Sequence, residues 1–140
     1  MDVPESFRTQ NTPTAGYEAL KGGAALVERP QVVLRLTGRD PVGMLNAVLT
    51  NDVPEEPGHG VYAALLNPKG RVQTDLRVLK AGEYVLVLTE PEGAAAAKEI
   101  LGRYAPFSRV KLEEPGSWVV LGLYGPRAGE LLGHPELEEY

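Results

Sequence analysis

Two apolar runs flank the tetrapeptide Asn67-Pro68-Lys69-Gly70, and this constrains the chain more than any other feature of its sequence. The first run is V-Y-A-A-L-L at residues 61–66; the second is R-V-Q-T-D-L-R-V-L at residues 71–79. Proline presets a turn dihedral and glycine tolerates positive φ, so such a linker between two β-prone runs predicts a β-hairpin. Side chains alternate along a strand. Val72, Leu76 and Val78 therefore share one face of the second strand, and Gln73, Asp75, Arg77 and Leu79 share the other. Asp75 stands mid-strand between an amide and a guanidinium. That placement suits a solvated sheet face or a binding surface.

Local signals predict the remaining elements. Residues 1–16 hold Pro, Thr, Gln and Asn without periodicity and read as a loose arm. Over residues 17–28 the pair Gly22-Gly23 interrupts a possible helix and leaves the state open. Residues 31–36 are rich in Val and Leu, a predicted strand. Asp40-Pro41 offers an N-cap and an N1 proline to a helix over residues 41–50, with Met44, Leu45, Val48 and Leu49 at helical spacing. Residues 83–88 predict a third meander strand. Thr89 and Glu92 match a capping box, opening a helix that carries Ile100, Leu101 and Tyr104 and stops before Pro106. Residues 109–113 and 117–124 predict two more strands, with Trp118 as a core anchor. A last helix opens at Gly125-Pro126-Arg127 and runs through Leu132.

The order βα-βββ-αβ-βα predicts an α+β fold, a ferredoxin-like antiparallel sheet with its helices on one face. The expected limits are an arm at 1–16, a ferredoxin-like unit at 17–114, and a second unit or extension beginning at 115–140.

Composition narrows the function classes. With 140 residues, 43% of them hydrophobic, the chain is expected to build a real core. A net charge of −5 argues against a general nucleic-acid binder. The absence of cysteine excludes a disulfide, a thiol nucleophile and a thiolate metal site within this sequence. The first residues lack the basic and apolar regions of a signal peptide, and no apolar run is long enough to span a bilayer. A cytoplasmic protein without membrane partners is the expectation. His59 and His134 have no ligating neighbour at metal-binding spacing, and Gly122, Gly125 and Gly129 do not form a dinucleotide fingerprint.

Several segments in order resemble the glycine-cleavage T-protein superfamily. They are L-T-G-R-D at residues 36–40, L-T-N-D-V at 49–53, Y-A-A-L-L-N-P-K-G-R at 62–71, Asp75-Leu76, and L-G-L-Y-G-P-R-A at 121–128. The superfamily comprises folate-dependent aminomethyltransferases, folate-linked demethylating enzymes and YgfZ-type folate-binding proteins that assist iron–sulfur cluster maturation. Asn67-Pro68-Lys69-Gly70-Arg71 looks more like the YgfZ branch; the aminomethyltransferases more often carry Gly-Gly and paired aspartates, where this chain has Thr74 and a single Asp75. The YgfZ branch is also marked by a K-G-C-x-x-G-Q-E segment further along. This sequence ends before that region, and the resemblance implies a longer parent.

The resemblance implies a folate site with tetrahydrofolate as cofactor. Asp75 matches the aspartate beside the folate's reacting nitrogens, where a carboxylate would position an amine and stabilise positive charge. Tyr62 matches a tyrosine lining the pterin site, with Arg77 and Asn51 as further binding candidates. Taken alone, the residues favour the plainer reading, in which Asp75 pairs with Arg77 or Lys80, Tyr62 is a core aromatic, and Asn51 bonds the backbone of a turn. Lys69, Arg71, Arg77 and Lys80 form a basic patch that suits a polyglutamate tail or an acidic partner. The implied partners are tetrahydrofolate or a one-carbon derivative, with iron–sulfur proteins or a lipoyl carrier behind it. Three functions stay open: a folate-dependent accessory factor for iron–sulfur proteins, an aminomethyltransferase, and a ligand-free ferredoxin-like dimerisation domain.

Overall fold

The computed structural model describes residues 13–133, so most of the expected N-terminal arm and His134 lie outside the described residues. In chain order the elements begin with α1 (Pro13–Gly22), β1 (Ala25–Arg29), β2 (Val32–Gly38), α2 (Pro41–Asn46) and β3 (Gly60–Leu66). They continue with β4 (Val72–Ala81), β5 (Tyr84–Thr89), α3 (Pro91–Tyr104), β6 (Val110–Glu113), β7 (Val120–Tyr124) and α4 (Ala128–Leu131). Two compact units result, one from the segments up to Arg29 and from Val120 onward, the other from Pro30–Val119.

In the first unit β1 and β7 pair antiparallel, from Ala25↔Tyr124 to Arg29↔Val120. Gly125 follows β7 at φ +124°, and a Cβ there would stand 2.5 Å from the Gly23 carbonyl oxygen. Glycine is required by both its dihedral and its neighbour. The segment expected to belong with the ferredoxin-like unit, residues 25–29, thus pairs with β7 in a sheet of its own.

The second unit carries a sheet in the order β3-β4-β5-β2-β6, antiparallel throughout. Removing β3 leaves β2, β4, β5 and β6 in ferredoxin-like arrangement, with β3 added at the edge. One face is apolar: Leu34, Leu36, Leu65, Val85 and Val87 are fully buried and Leu76 and Val78 nearly so. Met44 and Leu45 of α2 and Ala97, Ile100 and Leu101 of α3 complete that core. The expected α+β fold with both helices on one face is what the chain forms.

Several local expectations need correction. Asp40 does cap α2, its Oδ1 accepting from the Gly43 N–H at 2.9 Å, but the helix stops at Asn46 rather than at residue 50. Strand pairing takes over: the Val48 carbonyl accepts from Leu66 N–H at 2.9 Å, and Thr50 N–H donates to the Ala64 carbonyl at 3.0 Å. Residues 48–50 thereby cover the β3 edge, which would otherwise expose unpaired donors and acceptors. Trp118 is not a core anchor. It is 40% exposed, ahead of β7, with its ring edge against Tyr84 at 6.4 Å. Thr89 does not cap α3 either; the N-cap is Glu90, without a side-chain cap bond.

The alternation along β4 holds from Leu76 onward and fails at Val72, which is 63% exposed. Leu65 pairs with Thr74 and Leu66 with Val72, so Gln73 is an extra residue bulged out of the ladder. A bulge reverses the alternation on either side of it.

Candidate functional site

The face of the sheet away from α2 and α3 presents the sequence-predicted residues. Register builds it: Tyr62 lies opposite Arg77, which lies opposite Leu88, and Asp75 lies opposite Ala64. Tyr62 and Asp75 are thus diagonal neighbours, a separation that an aromatic side chain can bridge. The Tyr62 hydroxyl donates to Asp75 Oδ2 in a short hydrogen bond. Above the Tyr62 ring stands the Arg77 guanidinium, 5.5 Å from the centroid, within cation–π range. Tyr62 is 56% exposed and is therefore no core aromatic.

The hydrogen bond to Asp75 raises the Tyr62 phenol above its ordinary value of 10.0, partial desolvation and the carboxylate's charge add to this, and Arg77 opposes it. The phenol is a donor throughout the neutral range. Asp75 accepts from Tyr62 instead of pairing with Arg77 or Lys80. Lys80 turns away, its ammonium donating to the Gly82 carbonyl.

Asn51 has a structural task. Its Nδ2 donates to the Tyr62 carbonyl at 2.8 Å and fixes the strand beneath the phenol. Thr50 Oγ1 accepts from the Ala64 N–H at 3.0 Å, fastening the same edge one pair further on. The L-T-N-D-V segment therefore clamps the strand that carries Tyr62.

The basic patch divides. Lys69 and Arg71 border a groove of about 440 Å³ between the hairpin turn and α3, together with Arg103, which pairs with Glu99. An adjoining apolar hollow of about 320 Å³ is lined by Pro68, Ile100, Tyr104 and Phe107. Neither concavity includes Tyr62 or Asp75, and Arg77 is instead part of the Tyr62 cluster. Among the described residues no group of three His, Asp or Glu side chains is placed to hold a metal, and no helix is long and apolar enough to cross a membrane.

One residue of this region matches a helix cap in the sequence and has a different role in the fold. Thr89 is 1% exposed, and its Oγ1 donates to the Asp75 carbonyl at 3.2 Å. The signal was present: alternation through Val85 and Val87 puts position 89 on the buried face, where a hydroxyl needs a partner.

The family described as the GCVT N-terminal domain matches residues 1–137, nearly the whole sequence. The chain belongs to that family. This GCVT N-terminal domain is 30% identical over 102 residues to the tRNA-modifying protein YgfZ of Hamiltonella defensa subsp. Acyrthosiphon pisum (strain 5AT), covering 71% of this chain and 30% of that protein. Its fold matches the glycine cleavage system aminomethyltransferase T from Bartonella henselae with a TM-score of 0.74 at 23% identity, over 87% of this chain and 36% of that one. The chain spans about a third of the length of each. Membership in the T-protein/YgfZ superfamily and the ferredoxin-like fold are thereby shown.

Proposed function

We propose that the Tyr62–Asp75–Arg77 face binds the pteridine of tetrahydrofolate or of a one-carbon derivative. In this reading the chain is the folate-binding part of a YgfZ-like accessory factor for iron–sulfur proteins. The observation that carries it is the Tyr62–Asp75 hydrogen bond, formed on an accessible sheet face at the two positions where the superfamily's motifs expect folate contacts.

The residues fit such a ligand. Asp75 uses Oδ2 for Tyr62, and Oδ1 has no hydrogen-bond partner among the described residues, leaving an acceptor for ring N–H donors. Tyr62 presents a broad aromatic surface, and Leu88 lies half-buried in the same cross-strand row. A flat heterocycle edged with donors meets both requirements. Tetrahydrofolate, when bound, supplies the nitrogens that carry a one-carbon unit. Asp75 would orient an amine and favour positive charge near it, while Tyr62 keeps that carboxylate from turning. The likeness of the Asn67–Arg71 turn to the YgfZ branch, and the YgfZ relative itself, support the accessory role over the transferase role.

Calorimetric titration with tetrahydrofolate under reducing conditions tests the reading. The wild-type protein should bind, and Asp75→Asn should weaken binding about 10- to 100-fold, the range for a hydrogen bond to a charged group. Absence of binding by the wild type rejects folate and leaves the ligand-free dimerisation domain. Turnover of an aminomethyl-loaded lipoyl carrier, abolished by Asp75→Asn, would assign the protein to the transferases instead.

A further inference from the structure

Asp75 sits where its strand loses a neighbour. The β4–β5 ladder extends only to Arg77↔Leu88, because the chain turns into α3 after Thr89. On the other side, both backbone groups of Ala64, the residue opposite Asp75, are used by Thr50. The Asp75 carbonyl therefore points toward β5, one pair beyond the end of that ladder. Two threonine hydroxyls hold it there: Thr89 Oγ1 and Thr74 Oγ1 each donate to the Asp75 carbonyl at 3.2 Å. The two oxygens stand 3.4 Å apart.

The first turn of α3 closes over this pair. A Cβ on Gly93 would lie 2.0 Å from Thr74 Oγ1 and 2.9 Å from Thr89 Oγ1, so only glycine lets the helix approach the two hydroxyls. Gly93 itself is buried. One residue past the bulge at Gln73, the strand would otherwise be free to shift at Thr74 and Asp75.

We infer that Thr89, with Gly93 packed against it, is a positioning residue for the Asp75 carboxylate. It never touches a ligand on the second face, since its side chain lies on the helix-covered side of the sheet. It acts by anchoring the backbone from which the carboxylate projects toward Tyr62. The consequence for ligand affinity rests on the folate reading, whereas the consequence for the Tyr62–Asp75 bond does not.

Thr89→Val keeps the shape and removes the donor; Thr89→Ser keeps the donor. Tyr62 reports on the bond independently of any ligand, through the pH titration of its Cζ resonance in protein labelled at tyrosine Cζ, assigned with Tyr62→Phe. Thr89→Val should move the Tyr62 midpoint down toward the ordinary phenol value and weaken tetrahydrofolate binding about tenfold, as expected for one misplaced hydrogen bond. Thr89→Ser should preserve both. A folded Thr89→Val protein with an unchanged Tyr62 midpoint overturns the inference, because a residue important only for stability would leave that midpoint in place. If Thr89→Val does not fold, Gly93→Ala decides by the same titration, since it displaces both hydroxyls from the helix side. A wild type that binds no tetrahydrofolate removes the folate reading alone, and the titration still decides the role of Thr89.

Discussion

The two faces of the five-stranded sheet follow opposite rules. On the helix-covered face, Leu34, Leu36, Leu65, Val85 and Val87 are fully buried, and Thr89 is the buried polar residue among them. On the other, Tyr62, Asp75 and Arg77 gather at β3–β4, and Arg35, Lys111 and Glu113 gather at β2–β6. The first face holds the fold by removing apolar area from water. The second spends its side chains on contacts that contribute little to stability and that a ligand can use. Stability and candidate function are thus separated by the pleat, residue by residue along the same strands.

The largest expected effect follows from that separation. Leu65→Ala should destabilise the protein by about 2–5 kcal/mol, through lost transfer energy and the cavity left behind. Its neighbour Ala64 lies on the other face, and Tyr62→Phe two residues further back should lower the urea midpoint far less, by no more than one exposed hydrogen bond contributes, while altering ligand affinity. Urea unfolding of the two variants makes the contrast directly. A Tyr62→Phe protein as unstable as Leu65→Ala would mean that the second face also holds the fold.

Which parts of this division could be read from the sequence depends on how local their causes are. The hairpin, the Asp40 cap of α2 and the end of α3 ahead of Pro106 are set within a few residues, and all were legible. The β1–β7 pairing joins residues nearly a hundred positions apart, such as Ala25 and Tyr124, and periodicity carries no information about partners at that distance. Residues 48–50 show tertiary pairing overriding helical spacing. Thr89 shows the same conflict at the candidate site: a threonine ahead of Glu-Pro reads locally as a cap, but its hydroxyl is drawn to the Asp75 carbonyl across the strands. Tyr62 and Asp75 were legible as residues on facing strands, whereas their diagonal contact depends on the folded register.

Glu113 offers a smaller, pH-dependent test at the other end of the second face. Lys111 first, then Arg35, hold its carboxyl below the usual carboxylate range, with both nitrogen–oxygen distances 2.7 Å. A depressed folded-state value stabilises the native chain above the ordinary carboxylate range, and that contribution disappears as pH falls through the depressed value. Glu113→Gln should therefore be slightly less stable than wild type at neutral pH. The two should converge in acid, as followed by thermal unfolding over a pH series. Curves that stay parallel throughout would show that the ion pairs do not contribute.

The finest test concerns the sign of two neighbours acting on one phenol. Asp75 raises the Tyr62 value by accepting a hydrogen bond from the neutral phenol, whereas Arg77, above the ring, lowers it by favouring the phenolate. Asp75→Asn should therefore bring the Tyr62 titration down, and Arg77→Met should move it further up. A raised folded-state value for an acid that is neutral when protonated adds stability below the unfolded value and loses it as pH rises through the folded one. In alkali, then, wild type should lose the Tyr62–Asp75 contribution just as its phenol ionises, and Arg77→Met should retain it to higher pH. Two variants that moved the titration in the same direction would mean that Arg77 reaches the phenol only by holding Asp75, and that no cation–π contact operates on this face.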